Sequence, residues 1–116
     1  MELIDGAGTY TVPHDRRGTH WVEQLRVDDL SVGTYSIAAG GTDGQQPHTE
    51  DEIYVVTAGR AMFEAGGQRV AAGPGAVIYV PAAEVHRFTD ITEDFATVVI
   101  FAPAEGSRAA DPATVG

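Results

Sequence analysis

The chain has no cysteine and no lysine; its seven basic residues are all arginine, set against 17 acidic ones for a formal net charge of −10. Without cysteine there is no disulfide, thiolate zinc site or cysteine nucleophile, and without lysine no Schiff base. Any metal must be held by His, Asp, Glu, Gln or Asn. So little positive charge repels phosphate backbones and anionic bilayers, so neither nucleic acid nor a membrane is expected as a partner. Long apolar runs are missing too: stretches such as 76–80 and 96–102 fall far short of the roughly 18 residues a membrane-spanning helix requires. The opening Met1-Glu2-Leu3-Ile4-Asp5 lacks the basic and apolar regions of a signal peptide, which makes the cytoplasm the expected location.

Helical periodicity is also scarce. Short runs rich in Val, Ile, Thr, Tyr and Phe are bounded by Gly, Pro or Asp, the pattern of an all-β fold. Strands are expected near 8–12, 20–26, 32–38, 53–58, 60–65, 68–71, 76–80, 85–89 and 95–101. Ala65-Gly66-Gly67-Gln68 reads as a tight hairpin and Gly73-Pro74-Gly75 as a turn that stops both neighbouring strands. At 116 residues the chain hides roughly 65% of its unfolded surface on folding, enough for a core without staples. One domain over 1–102 is expected, followed by a loose tail over 103–116 that has no apolar period.

Chemistry concentrates in Gln46-Pro47-His48-Thr49-Glu50-Asp51-Glu52. Gln46 and His48 are two apart and share a face in an extended chain. Glu52 has the same parity, but straight strand would carry it about 13 Å beyond His48, too far for one ion. The chain must therefore bend at Thr49-Glu50-Asp51. His86, heading another strand after the turn Pro81-Ala82-Ala83-Glu84-Val85, is a further candidate.

These residues resemble the two motifs of the cupins, G-x5-H-x-H-x3or4-E-x6-G and G-x5-P-x-G-x2-H-x3-N. In the first, Gly40 or Gly41 opens, Gln46 takes the first His position, His48 the second, Glu52 the Glu and Gly59 the closing Gly. In the second, Gly75, Pro81 and His86 match, Ala83 stands for Gly and Asp90 for Asn. The motifs cover residues 41–90. The resemblance implies a single cupin β-barrel (double-stranded β-helix, or jelly roll) that pairs as a homodimer, with a divalent ion on Gln46, His48, Glu52 and His86. Type I phosphomannose isomerases, themselves cupins, are similar in using a Gln-x-His pair with Glu and a distant His. Ala83 for Gly weakens the expectation of a positive backbone angle there.

Each residue has a plainer alternative. Gln46 can bridge through water, Glu50 can replace Glu52 as ligand if the bend falls elsewhere, and Glu50 and Asp51 can be solvated turn residues. His14 sits in an exposed charged loop and Trp21 packs. Tyr35, Tyr54, Tyr79, Phe63 and Phe88 form core or wall, with Tyr79 approaching the site. Leu3-Ile4 and Tyr10-Thr11-Val12 are expected to be able to add a strand to a partner's sheet edge. Nitrogen and oxygen donors without sulfur suit iron, manganese, nickel, cobalt or zinc. The expected function is a metalloenzyme of dioxygenase or isomerase type acting on an oxygen-rich small molecule, with Glu52 doubling as proton shuttle. The alternative is a barrel that binds a small molecule without turnover.

Overall fold

A computed structural model describes residues 1–109. Eight strands carry the fold: β1 (Thr19–Val27), β2 (Leu30–Ile37), β3 (Asp51–Ala58), β4 (Ala61–Ala65), β5 (Gln68–Ala72), β6 (Val77–Val80), β7 (His86–Thr89) and β8 (Phe95–Ala102). No helix among the described residues is long and apolar enough to cross a membrane. The fold is all-β, as the sequence predicts, in two antiparallel sheets ordered β1-β2-β8-β3-β6 and β5-β4-β7.

Side chains alternate across each sheet, and the register decides which set faces inward. Glu52 lies opposite Val80 and Phe101, and Tyr54 opposite Ile78 and Val99. These residues share a face with Ile37 and Phe95 of the neighbouring pair. From the smaller sheet, Phe63 pairs with Phe88. Tyr54 and Phe88 rings meet edge-on with centroids 4.9 Å apart, and Phe88 and Phe95 at 4.8 Å, so aromatic contacts join the two sheets. Gly66 and Gly67 both adopt positive φ, 57° and 75°, as a two-residue hairpin turn demands.

Three expectations need correction. Residues 8–12 form no strand. Their amides turn to side-chain hydroxyls on the outer face of the larger sheet: Gly8 N–H donates to Thr34 Oγ1 (2.9 Å) and Thr11 N–H to Ser36 Oγ (3.1 Å). Tyr79 is 61% exposed, because its partner in register is the outward-facing Ile53 rather than Glu52. Ala83 keeps a φ of +68° despite its Cβ, held by the bond from its N–H to the His48 carbonyl, 2.7 Å.

The end of the described chain is also tied down. Ala104 is buried, and the backbone amides of Glu105, Gly106 and Arg108 all donate to side chains of the sheets and the 49–50 bend. Residues 103–109 of the expected tail thus lie against the molecule; residues 110–116 lie outside the described residues.

Candidate metal centre

Three side chains converge between the sheets. Glu52, second in β3, points inward by its register, and His86 opens β7 two residues before the core residue Phe88. His48 precedes β3, and a bend at Thr49-Glu50 folds the chain back so that its ring packs 4.7 Å from that of Phe101. His86 Nε2 lies 2.9 Å from Glu52 Oε1, and His48 Nδ1 lies 3.4 Å from the same oxygen. One ligand atom from each of the three falls within 4.8 Å of the others. The required bend therefore exists and brings His48 to Glu52.

The chemistry of the donors fits a divalent cation. His48 Nδ1 and Glu52 Oε2 are buried and have no hydrogen-bond partner, although buried polar atoms are normally satisfied. The idle ring nitrogens are occupied: His86 Nδ1 lies 2.7 Å from the Glu84 carbonyl and His48 Nε2 lies 3.2 Å from Glu105 Oε2. A histidine that binds a metal commonly gives its other N–H to such an acceptor.

Electrostatics follow from this packing. Burial disfavours a charge on His48, but the neighbouring carboxylates of Glu105 and Glu52 outweigh it and raise its pKa from 6.5 to about 9. Burial likewise disfavours ionised Glu52, yet His48 and His86 hold its carboxyl down to about 2. The His86 value is raised, burial being overcome by the bond to Glu52.

Gln46 is not brought into the cluster: its side chain is exposed. Residues 41–48 are not strand, so the two-residue parity that paired Gln46 with His48 does not apply. Gln45 takes the inward place, accepting from the Tyr54 hydroxyl (3.1 Å) and donating to Asp43 Oδ2 (2.8 Å). Tyr54 Oη lies 2.9 Å from His86 Nε2, and burial pushes its pKa well up. Sequence reasoning read Tyr54 as wall, and it is also part of the site. Asp43 is a buried hub, accepting from the Tyr35 hydroxyl and from the N–H groups of Gln45 and Phe88. Glu50 is neither a ligand nor solvated; it is 1% exposed and accepts from Gly106 and Arg108. Beside His48 opens a cavity of about 140 Å³, walled by Trp21, Tyr35 and Phe101 with Gln45 and Glu105 at its polar side. His14 is exposed as expected.

The cupin domain family matches residues 33–102. An uncharacterized protein of Streptomyces coelicolor is 42% identical over 85 residues, covering 73% of this chain and 81% of its own length. Among solved structures, a cupin superfamily protein of Desulfitobacterium hafniense is similar with a TM-score of 0.66 at 18% identity, over 78% of this chain and 83% of that one. The DMSP lyase DddQ of Ruegeria pomeroyi is similar with a TM-score of 0.71 at 19% identity, over 96% of this chain and 57% of that one.

Proposed function

The chain belongs to the cupin domain family, and on that premise we propose that it is a metal-dependent enzyme of dioxygenase or isomerase type acting on a small oxygen-bearing molecule. The observation that carries this reading is the pair of buried, partnerless donor atoms on His48 and Glu52, set beside His86. His48, Glu52 and His86 would hold the ion, a site of two imidazoles and one carboxylate suited to iron, manganese, nickel, cobalt or zinc. When bound, such an ion supplies Lewis acidity and, if it is iron, access to dioxygen.

The chain's own groups define the rest. The cavity of about 140 Å³ is of the size that accepts a benzene-sized body, and its walls of Trp21, Tyr35 and Phe101 keep water from that part of the substrate. Gln45 offers an amide at the polar side. Tyr54, neutral at ordinary pH, holds its proton at Oη between Gln45 and His86. That a similar fold serves a lyase accords with catalysis, though one fold hosts many chemistries. A second reading, a small-molecule binder without turnover, is favoured by the exposure of Gln46, the residue at the first histidine position of the motif. Pairing of two copies belongs to the same reading, supported by exposed Ile53, Val77 and Tyr79 on the outer face of the larger sheet.

The test is elemental analysis of untagged protein purified without chelator, with His48→Ala alongside. About one equivalent of metal in the natural chain and none in the variant is expected. Failure to take up any of the five ions would leave the binding reading, and stoichiometric metal in folded His48→Ala would remove the site assignment.

A further inference from the structure

The segment after β8 brings Glu105 into the lining of the cavity and is clamped on both sides of it. The amide of Glu105 donates to Ser31 Oγ (2.9 Å), and those of Gly106 and Arg108 donate to the two oxygens of Glu50 (2.7 and 2.9 Å). Arg26 Nη1 donates to the Glu105 carbonyl (3.0 Å). Glu50 and Ser31 are each 1% exposed, so the clamp is built into the interior, and a buried carboxylate bonded to amides costs too much to strand. With its backbone fixed this way, Glu105 places Oε2 3.2 Å from His48 Nε2 and lines the cavity.

We propose that this C-terminal strap is part of the metal centre and that Glu105 is its positioning residue: it takes the Nε2–H of His48 and thereby presents Nδ1 to the ion. The inference rests on the metal-binding reading and deepens it. A neutral imidazole carries one N–H, and the nitrogen without it is the one able to ligate. At His48 the Nε2 edge faces Glu105 while Nδ1 lies buried, partnerless and 3.4 Å from Glu52 Oε1. At His86 the arrangement is reversed, with Nδ1 2.7 Å from the Glu84 carbonyl and Nε2 2.9 Å from Glu52. The two imidazoles thus offer opposite nitrogens to one centre, His86 oriented by a backbone carbonyl within its own loop and His48 by a carboxylate some sixty residues further along the chain. A carboxylate behind a ligating histidine fixes its orientation and raises its basicity, and losing such a partner typically weakens metal binding about 10- to 100-fold.

The experiment uses the full chain loaded with Zn²⁺ and reads the histidine nitrogens by long-range ¹H–¹⁵N NMR, together with Zn²⁺ affinity by competition with a chromophoric chelator. In the natural chain His48 is expected to coordinate through Nδ1 with a proton on Nε2, and His86 the other way round. Glu105→Ala should weaken Zn²⁺ binding about 10- to 100-fold at unchanged stoichiometry, with apoprotein circular dichroism unaltered. Glu105→Gln keeps an acceptor oxygen, so it should preserve Nδ1 coordination and recover much of that loss, whereas Glu105→Met, similar in volume but without an oxygen acceptor, should not, a difference that a purely space-filling role for the strap would not predict. Coordination of His48 through Nε2, or natural affinity in Glu105→Ala, would overturn the inference while leaving the metal centre standing. No Zn²⁺ uptake by the natural chain would overturn both.

Discussion

Both ends of the described chain lie against the sheets without joining a ladder, and different chemistry holds each. The N-terminal segment is tied to neutral hydroxyls: Thr34 and Ser36 accept its amides, and Thr57 Oγ1 donates to the Gly8 carbonyl at 2.7 Å. All three hydroxyls stand on the outer face of the larger sheet. The C-terminal strap is tied to the carboxylate of Glu50, whose pKa stays below the ordinary carboxylate value because bonds from Thr49, Gly106 and Arg108 overcome its burial. Hydroxyl ties are worth about 1 kcal/mol each and carboxylate ties about twice that. The outer segment therefore covers surface, whereas the strap can hold a charged side chain against a histidine.

Breaking the stronger clamp should have the larger effect. Glu50→Ala removes the acceptor for two amides and is expected to lower stability by about 3 kcal/mol, read by urea unfolding of the apoprotein; a loss no greater than that of a single hydroxyl would erase the contrast. Next in size is a pH effect confined to the strap side. The pKa of His48 is raised from 6.5 to about 9, so its contribution is complete below 6.5 and disappears as pH rises through about 9. On the order of 2 kcal/mol is at stake for the apoprotein, read as a falling thermal midpoint across that window, with a shallower fall in His48→Gln, where only the raised His86 still titrates. Glu52, held down to about 2, acts in the opposite sense, its contribution present above 4.5 and lost only as pH falls through about 2. Smallest is Ser36→Ala, which frees the Thr11 amide and should cost about 1 kcal/mol or less while leaving Zn²⁺ affinity unchanged.

What the sequence revealed follows the same division between regular and irregular backbone. The eight strands could be read because Val, Ile, Thr, Tyr and Phe cluster between Gly and Pro stops, and His48, Glu52 and His86 because their spacing fits a known pattern. Strand parity does not apply to Gln46, which lies in a loop and is exposed, while its neighbour Gln45 bonds to Tyr54 and Asp43. The segment over 8–12 has strand-like composition, yet its amides bond to hydroxyls, a choice that composition does not encode. Glu50, Asp43 and Glu105 are three among 17 acidic residues, and nothing local separates an acid that clamps a strap from one in solvent. Tyr54 was identified as wall because alternation shows that a ring is inside but not what its hydroxyl meets.

The strap also bears on where this protein can be cut. The family match ends at residue 102, and a fragment trimmed there would keep His48, Glu52 and His86 while discarding Glu105 and the amides of Gly106 and Arg108 that satisfy Glu50. Such a fragment would pass inspection as an intact domain yet carry an ionised acid with its backbone donors removed. The shared domain boundary and the physical boundary of this protein are therefore different lines, and expression fragments and C-terminal fusions should be drawn to the second.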